Sequence, residues 1–250
     1  MKFFKLLTIF SLFINIAHAD TVKYVYDGDT FTTTENKKVR LLNINTPETA
    51  KKNSPSEPFA VEAKKYLTKL VARQDVVLKF DKEKQDKYGR YLAYVYLKDG
   101  TFVNEKMIES GLAHLYTFPN NVEKFEELKK AENKARLAKR GIWSNARWAT
   151  QDANSEKPVE QFRFGKYQTF EGQVLKVTDV RKKIFLNFGH NWRQDFSVEI
   201  NKKNLKYFKA QNIDPMTYYS GKKLRIRGVL RPVHGALINV SHPQQIEILK

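Results

Sequence analysis

Residues 40–48 read RLLNINTPE, and the reading of the first half of the chain turns on them. Two leucines lead in as a strand entering a core would; short polar residues, a proline and a glutamate follow. One turn thus gathers an arginine, two asparagines and a glutamate in a chain whose formal net charge is +18. Acids are scarce here, so acids gathered near a turn point to a task.

Working outward, VKYVY (22–26) and DTFTTT (29–34) flank a DG turn, and KVRLLNI (38–44) follows, which predicts a meander of three strands. Residues 49–58 carry turn formers and no periodicity, so they read as a loop, with Pro58 in the first turn of a helix. Ala60, Ala63, Leu67, Leu70 and Val71 recur at helical spacing. DVVLKF (75–80) and YLAYVYL (91–97) read as strands around the charged loop DKEKQDKYGR. Residues 102–113 form a helix capped by Asn104 and ending near Gly111, with Val103, Met107 and Ile108 inward. Residues 122–140 form a long charged helix. Its buried stripe is Phe125, Leu128, Ala131 or Glu132, Ala135 and Leu137 or Ala138; its lysines read as a solvated face. Gly141 ends it, and Ile142 and Trp143 pack back on the core.

The N-terminus has another character. Lys2 and Lys5 precede the apolar run LLTIFSLFINIA, and AHA follows, with Ala17 and Ala19 at the cleavage positions. This is the form of a secretory signal peptide over residues 1–19, too short to span a bilayer comfortably. The expected protein is secreted or periplasmic, a monomer, with no stable membrane insertion after cleavage. The absence of cysteine excludes disulfides, thiolate metal sites and a lipid-anchored lipoprotein. The five histidines show no metal-ligand spacing, which argues against zinc. Strong positive charge on an exported protein points to a polyanionic partner: nucleic acid first, an anionic membrane or wall polymer second.

The fold class expected is mainly β with α. A first domain spans 20–146, a polar linker 147–162, and a second small β-rich domain 163–250. Both domains have the pattern of OB-type barrels, with a helix interrupting about five strands. In the second, Arg181, Lys182, Lys183, Arg193, Arg225, Arg227 and Arg231 lie among Phe188, Trp192, Phe196 and Tyr207. Basic residues beside aromatics suit a groove for single-stranded nucleic acid. The competing reading is a barrel with core aromatics and solvated charges.

The chemistry concentrates in the first domain. Asp29 starts a strand after a glycine turn and Glu48 ends the turn after the third strand, so neighbouring strands would bring both carboxylates to one end of the sheet. A hard cation such as Ca²⁺ takes several oxygen ligands, and Asp29, the Asn45 side chain and the Thr46 carbonyl could supply them. Arg40 and Arg90 are fixed positive forks suited to phosphate oxygens. A metal, two arginines and a spare glutamate suit phosphodiester cleavage.

The ordered set DGDT (27–30), R-L-L-x-I-x-T-P-E (40–48), DKYGR-x-LAYVY (86–96), VNE (103–105), GLA (111–113) and GIW (141–143) resembles the staphylococcal nuclease (thermonuclease) family over about residues 22–145. The resemblance implies a five-stranded OB barrel with three helices and Ca²⁺-dependent hydrolysis of DNA and RNA that leaves 3′-phosphate ends. It implies that Asp29 is a calcium ligand, that the Thr46 backbone oxygen is another, and that Glu48 is the general base. It makes Arg40 and Arg90 the phosphate-binding arginines, sets Lys87 and Tyr88 near the terminal phosphate, and points to Tyr116 over a substrate base. One position departs: the family's turn reads D-x-P-E, with an aspartate as second calcium ligand, where this chain has Asn45. An amide oxygen can still coordinate Ca²⁺, but one negative charge is gone and affinity should fall. The alternative expectation is therefore a catalytically weak or inactive nucleic-acid-binding protein on the same scaffold.

Overall fold

The computed structural model describes residues 19–50, 52, 54–155 and 163–249; the segment read as a signal peptide lies, but for Ala19, outside them. In the first half the strands are β1 (Asp20–Val25), β2 (Thr30–Thr33), β3 (Lys38–Leu41), β4 (Ile44–Asn45), β5 (Asp75–Lys79), β6 (Tyr91–Leu97) and β7 (His114–Leu115). The helices are α1 (Ala60–Val71), α2 (Val103–Glu109) and α3 (Phe125–Leu137). Five strands close a barrel in the order β1-β2-β3-β6-β5, and β4 pairs with β7 as a separate ribbon. The expected OB barrel with three helices is what the chain forms.

The barrel strands are rich in β-branched and aromatic residues, and β3 and β6 are buried over most of their length. Phe31, Val39, Leu41, Val76, Ala93 and Val95 turn inward and are fully buried. The period of α1 places Ala63, Leu67 and Val71 on the same core. Truncating such a residue, as in Leu67→Ala, costs roughly 2–5 kcal/mol because a cavity is added to the lost transfer energy.

Four local expectations need correction. Helix α1 begins at Ala60, because Phe59 turns through a left-handed φ of 69° and Pro58 stays outside the helix. Asn104 does not cap α2; Phe102 holds that place and Asn104 lies inside the first turn, fully buried. Its Oδ1 accepts the Val95 N–H at 2.9 Å and its Nδ2 donates to the Leu42 carbonyl at 2.8 Å, so it ties the barrel to the helix. On α3 the buried stripe runs Phe125, Leu128, Ala131, Glu132 and Ala135, while Leu137 and Ala138 are both exposed. Lastly, 38–44 is not one strand: Asn43, at φ 56°, separates β3 from β4.

The second half carries β8 (Gln151–Asp152), β9 (Tyr167–Gln173), β10 (Lys176–Val180), β11 (Lys183–Asn187), β12 (Phe196–Asn201), β13 (Lys223–Pro232), β14 (Ala236–Val240) and β15 (Ile246–Ile248). Two short helices, α4 (Leu205–Lys209) and α5 (Pro215–Tyr218), stand between β12 and β13. The sheet order is β10-β11-β12-β14-β13-β9-β8, with β15 also paired to β13, a β-rich half-barrel. It encloses its own core, including Phe170, Phe188, Phe196, Phe208 and Tyr219. Residues 149–155, expected within a linker, include β8, which pairs parallel to β9, and Ala153, which is buried in the second core.

The halves meet in a polar seam. Arg227 on β13 pairs with Glu132 on α3 at 2.9 Å and with Glu247 at 2.8 Å. Arg225 holds Glu171 at 2.7 Å, and Arg136 reaches the same carboxylate at 3.2 Å. Arg225 and Arg227 therefore do not form a nucleic-acid groove; the first is largely buried in ion pairs and the second is sealed at the seam. Phe188 and Phe196, also set among the groove candidates, are core.

Candidate active site

Asn43 sets the site's geometry. A strand carried straight through residue 43 would take Asn45 and Thr46 away along the sheet. The left-handed turn is one an asparagine tolerates, and buried partners hold it: Nδ2 donates to the Asn121 carbonyl at 2.8 Å, and Oδ1 accepts the Tyr94 hydroxyl at 2.7 Å. The chain bends, β4 pairs with β7, and Thr46 comes back to Asp29.

At Asp29 the contacts converge. Its Oδ2 accepts the Thr46 N–H at 3.1 Å and the Thr46 hydroxyl at 3.2 Å, and it pairs with Arg40 Nη2 at 3.0 Å. Its Oδ1 accepts the Thr30 hydroxyl at 2.9 Å. Arg40 Nη2 also donates to Asn45 Oδ1 at 3.3 Å, and Nη1 to its neighbour's carbonyl at Leu41, 2.6 Å. Register explains the meeting: Arg40 lies opposite Thr30, and the Leu41 N–H donates to the Asp29 carbonyl at 2.9 Å. Gly28 lets the two segments close, since a Cβ there would lie 2.7 Å from the Ala63 Cβ and 2.8 Å from Thr46.

A second acid completes the mouth. Asp27 Oδ1 accepts the Asp29 N–H at 3.1 Å. Burial, with the neighbouring Asp29 charge, pushes the Asp27 carboxyl up to about 6. Two crowded carboxylates, the Asn45 amide oxygen and the Thr46 carbonyl make a hard-oxygen donor set, which fits a cation such as Ca²⁺. Among the described residues no three His, Cys, Asp or Glu side chains converge as a metal cage, and at position 45 the turn offers an amide oxygen in place of a carboxylate.

The remaining candidates are less concentrated. Glu48 follows Pro47 on an exposed part of the loop, with its backbone tied to Glu57. Arg90 does not join Arg40 in any hydrogen bond or ion pair shown; its Nε and Nη2 both lie 2.7 Å from Asp86 Oδ2. Burial would raise Asp86, but the N–H groups of Arg90 and Tyr88 and the Arg90 guanidinium hold it below the usual carboxylate range. Parallel pairing of β3 and β6, with Val39 opposite Tyr91, sets Arg90 beside the start of β3. Lys87 and Arg90 both stand over the exposed Tyr88 ring, at 4.9 and 5.6 Å. Tyr116 packs between Phe118 and Tyr167, at 5.0 and 5.6 Å, and Phe118 in turn faces the Arg40 guanidinium at 5.9 Å.

Sequence reasoning missed Asn43, Glu57, Lys166 and Tyr167. An Asn at the end of an apolar strand was a usable signal for a left-handed turn. The other three had none, because their partners are distant in sequence.

The site is thus a small closed barrel whose mouth holds paired acids, a buried arginine and a Thr-Pro-Glu turn. Residues 38–145 match the family described as Staphylococcal nuclease homologue. Thermonuclease from Staphylococcus hyicus is 38% identical over 124 residues, 48% of this chain and 73% of that protein. The SPbeta prophage-derived endonuclease YokF of Bacillus subtilis is 41% identical over 133 residues, 52% of this chain and 43% of its own. Endonuclease YncB of the same species is 38% identical over 133 residues, 52% of this chain and 60% of its own. The chain belongs to the staphylococcal nuclease family. It is a nuclease, a hydrolase of phosphodiester bonds, and its substrate is nucleic acid.

Proposed function

We propose that this chain is an exported, calcium-dependent endonuclease that cleaves DNA and RNA to 3′-phosphate ends. The observation that carries the reading is the shared Asp29 oxygen, which holds Arg40 and Thr46 together at 3.0 and 3.1 Å while Arg40 reaches Asn45. Asp29, the Asn45 side chain and the Thr46 carbonyl would hold Ca²⁺, which when bound adds positive charge beside the scissile phosphate. The chain's own residues supply the rest. Arg40, and Arg90 released from Asp86, donate to the phosphate oxygens, where charge grows in the transition state. Glu48 takes a proton from the attacking water. Water adds to phosphorus, the bond to the 5′ oxygen breaks, that oxygen takes up a proton from solvent to leave as the 5′-hydroxyl, and the phosphate stays on the 3′ side. Lys87 and Tyr88 meet the terminal phosphate, and Tyr116 lines the base side.

Residues 1–19 act as the signal for export, and among the described residues no helix is long and apolar enough to cross a membrane. The division into 20–146 and 163–250 belongs to the same proposal, with one chain as the working unit. On the second half, Trp192 is half exposed with Arg193 at 4.9 Å from its ring, a platform on which a single-stranded base can stack. Product analysis tests the chemistry: labelled DNA and RNA should yield 3′-phosphate and 5′-hydroxyl ends, and a calcium chelator should stop the reaction. Retention of the strand without new ends would favour the binding protein on the same scaffold.

A further inference from the structure

The start of β9 and the residue before it, Lys166, reach the Thr-Pro-Glu turn from the other half of the molecule. Lys166 Nζ lies 2.8 Å from Glu57 Oε1, a charge contact without the alignment of a hydrogen bond. Glu57 Oε2 accepts the Glu48 N–H at 3.0 Å, and the Glu57 N–H donates to the Glu48 carbonyl at 2.9 Å. Glu57 thus bridges both ends of the loop that follows Thr-Pro-Glu, and its buried carboxylate has Lys166 as its counter-charge. Lys166 is itself fixed: its carbonyl accepts the Leu230 N–H at 3.0 Å.

The next residue holds the neighbouring wall. The Tyr167 hydroxyl donates to the Leu115 carbonyl at 2.5 Å, and its ring packs on His114 and Tyr116 at 5.7 and 5.6 Å. His114 pairs with Asn45 in the β4–β7 ribbon, and the Tyr116 N–H donates to the Asn43 carbonyl at 2.9 Å. From the inner side Glu132 accepts the Leu115 N–H at 2.9 Å while paired to Arg227. Two consecutive residues, Lys166 just before β9 and Tyr167 at its start, therefore touch the segments next to Glu48 and Asn45.

We propose that Lys166 and Tyr167 are positioning residues for the hydrolysis, Lys166 through Glu57 on Glu48 and Tyr167 through the β7 strand on Asn45, so that the C-terminal half is a working part of the active site. Lysine suits the task at Glu57: a buried carboxylate without a counter-charge would take up a proton or swing out, and the Glu48 N–H would lose its acceptor. A loop displaced by a fraction of an ångström misplaces the base without touching substrate binding.

This inference rests on Glu48 acting as the base. The test uses the full mature chain, with single-turnover cleavage and KM measured in saturating calcium and the rate followed across a calcium titration, for wild type, Lys166→Met, Glu57→Gln, Tyr167→Phe and Glu48→Ala. Lys166→Met and Glu57→Gln should each lower kcat roughly 10-fold with KM unchanged, the size typical of support removed from a catalytic ligand. Lys166→Arg should restore most of it. Tyr167→Phe should raise the calcium needed for half-maximal rate instead, because it acts on the Asn45 side. In the Glu48→Ala background, Lys166→Met should have no further effect on rate. Unchanged kcat in Lys166→Met, or a loss matched by a fall in melting temperature that Lys166→Arg fails to rescue, would overturn the proposal. If Lys166→Met fails to fold, Lys166→Arg and Glu57→Gln carry the same comparison. Wild type that does not cleave would instead refute the nuclease reading.

Discussion

Glu132 Oε2 and Arg227 Nη2 lie 2.9 Å apart across 95 residues of sequence, and neither side chain is more than 2% exposed. Helix α3 belongs to the nuclease barrel and β13 to the C-terminal sheet, so a sealed ion pair fixes one against the other. Among the described residues the Arg227 Nε and Nη1 atoms find no hydrogen-bond partner, so the pair is imperfectly satisfied and depends on Glu132 and Glu247.

Breaking that pair should be costly. Arg227→Met takes the counter-charge from the sealed Glu132 and should lower unfolding free energy by about 3–5 kcal/mol, whereas Glu132→Ala leaves Arg227 with Glu247 and should cost less. Replacing both by apolar residues of similar volume should recover most of it. Denaturant melts of the three variants decide the matter; single variants that melt like wild type would mean that water reaches the seam.

Acid should act on both halves, since burial pushes His114 beside the barrel and His242 in the second half down to about 4 alike. His242 is 4% exposed, and its Nδ1 accepts the Gln244 N–H at 3.2 Å. Burial pushes the imidazole down to about 4. The unfolded chain binds a proton near 6.5 and the folded chain does not, so stability is lost as pH falls from about 6.5 towards 4. His242→Asn keeps a capping oxygen and removes the titration, so its melting temperature should change less over that window. Glu132 behaves in the opposite sense: burial would raise it, but Arg227, the Leu115 N–H and Arg136 hold it below its ordinary value. Its contribution is full above pH 4.5 and disappears only below it.

Asn104→Ala should destabilise by roughly 1–3 kcal/mol, the cost of leaving a buried N–H and carbonyl unmet. Hydrogen exchange at Val95, the amide that Asn104 accepts, should accelerate with it. Loss of stability with Val95 still protected would place the damage elsewhere.

How much of this was readable depends on how far the partners are apart. The barrel was legible because the β-rich runs in 22–44 and 91–97, bounded by turn residues, and the spacing of Ala63, Leu67 and Val71 are local signals. Asp29, Arg40, Asn45 and Thr46 were legible as a set because short turns bring them together. Asn104 was misread because an Asn at the start of a helix resembles a cap, while its true partners, Val95 and Leu42, lie on other elements. Arg225, Arg227 and Lys166 look like solvated charges; only the fold supplies the acids that bury them. Arg90 was foreseen beside Arg40, but Asp86, four residues away, holds it at 2.7 Å in the free protein.

In the proposed calcium site, Asn45 is the side-chain donor that lacks a charge. Asn45→Asp should lower the calcium needed for half-maximal cleavage by roughly 10-fold, since ligand charge tunes such sites. A calcium titration that does not shift would remove Asn45 from the donor set.

The most direct measurement is cleavage of single-stranded DNA by the mature chain across a calcium titration, with Glu48→Ala and Asn45→Asp beside it. The account predicts calcium-dependent cleavage by wild type, its loss in Glu48→Ala, and a lower calcium requirement in Asn45→Asp. No cleavage by wild type at any calcium level, with activity appearing only in Asn45→Asp, would contradict it and make this turn a binding surface.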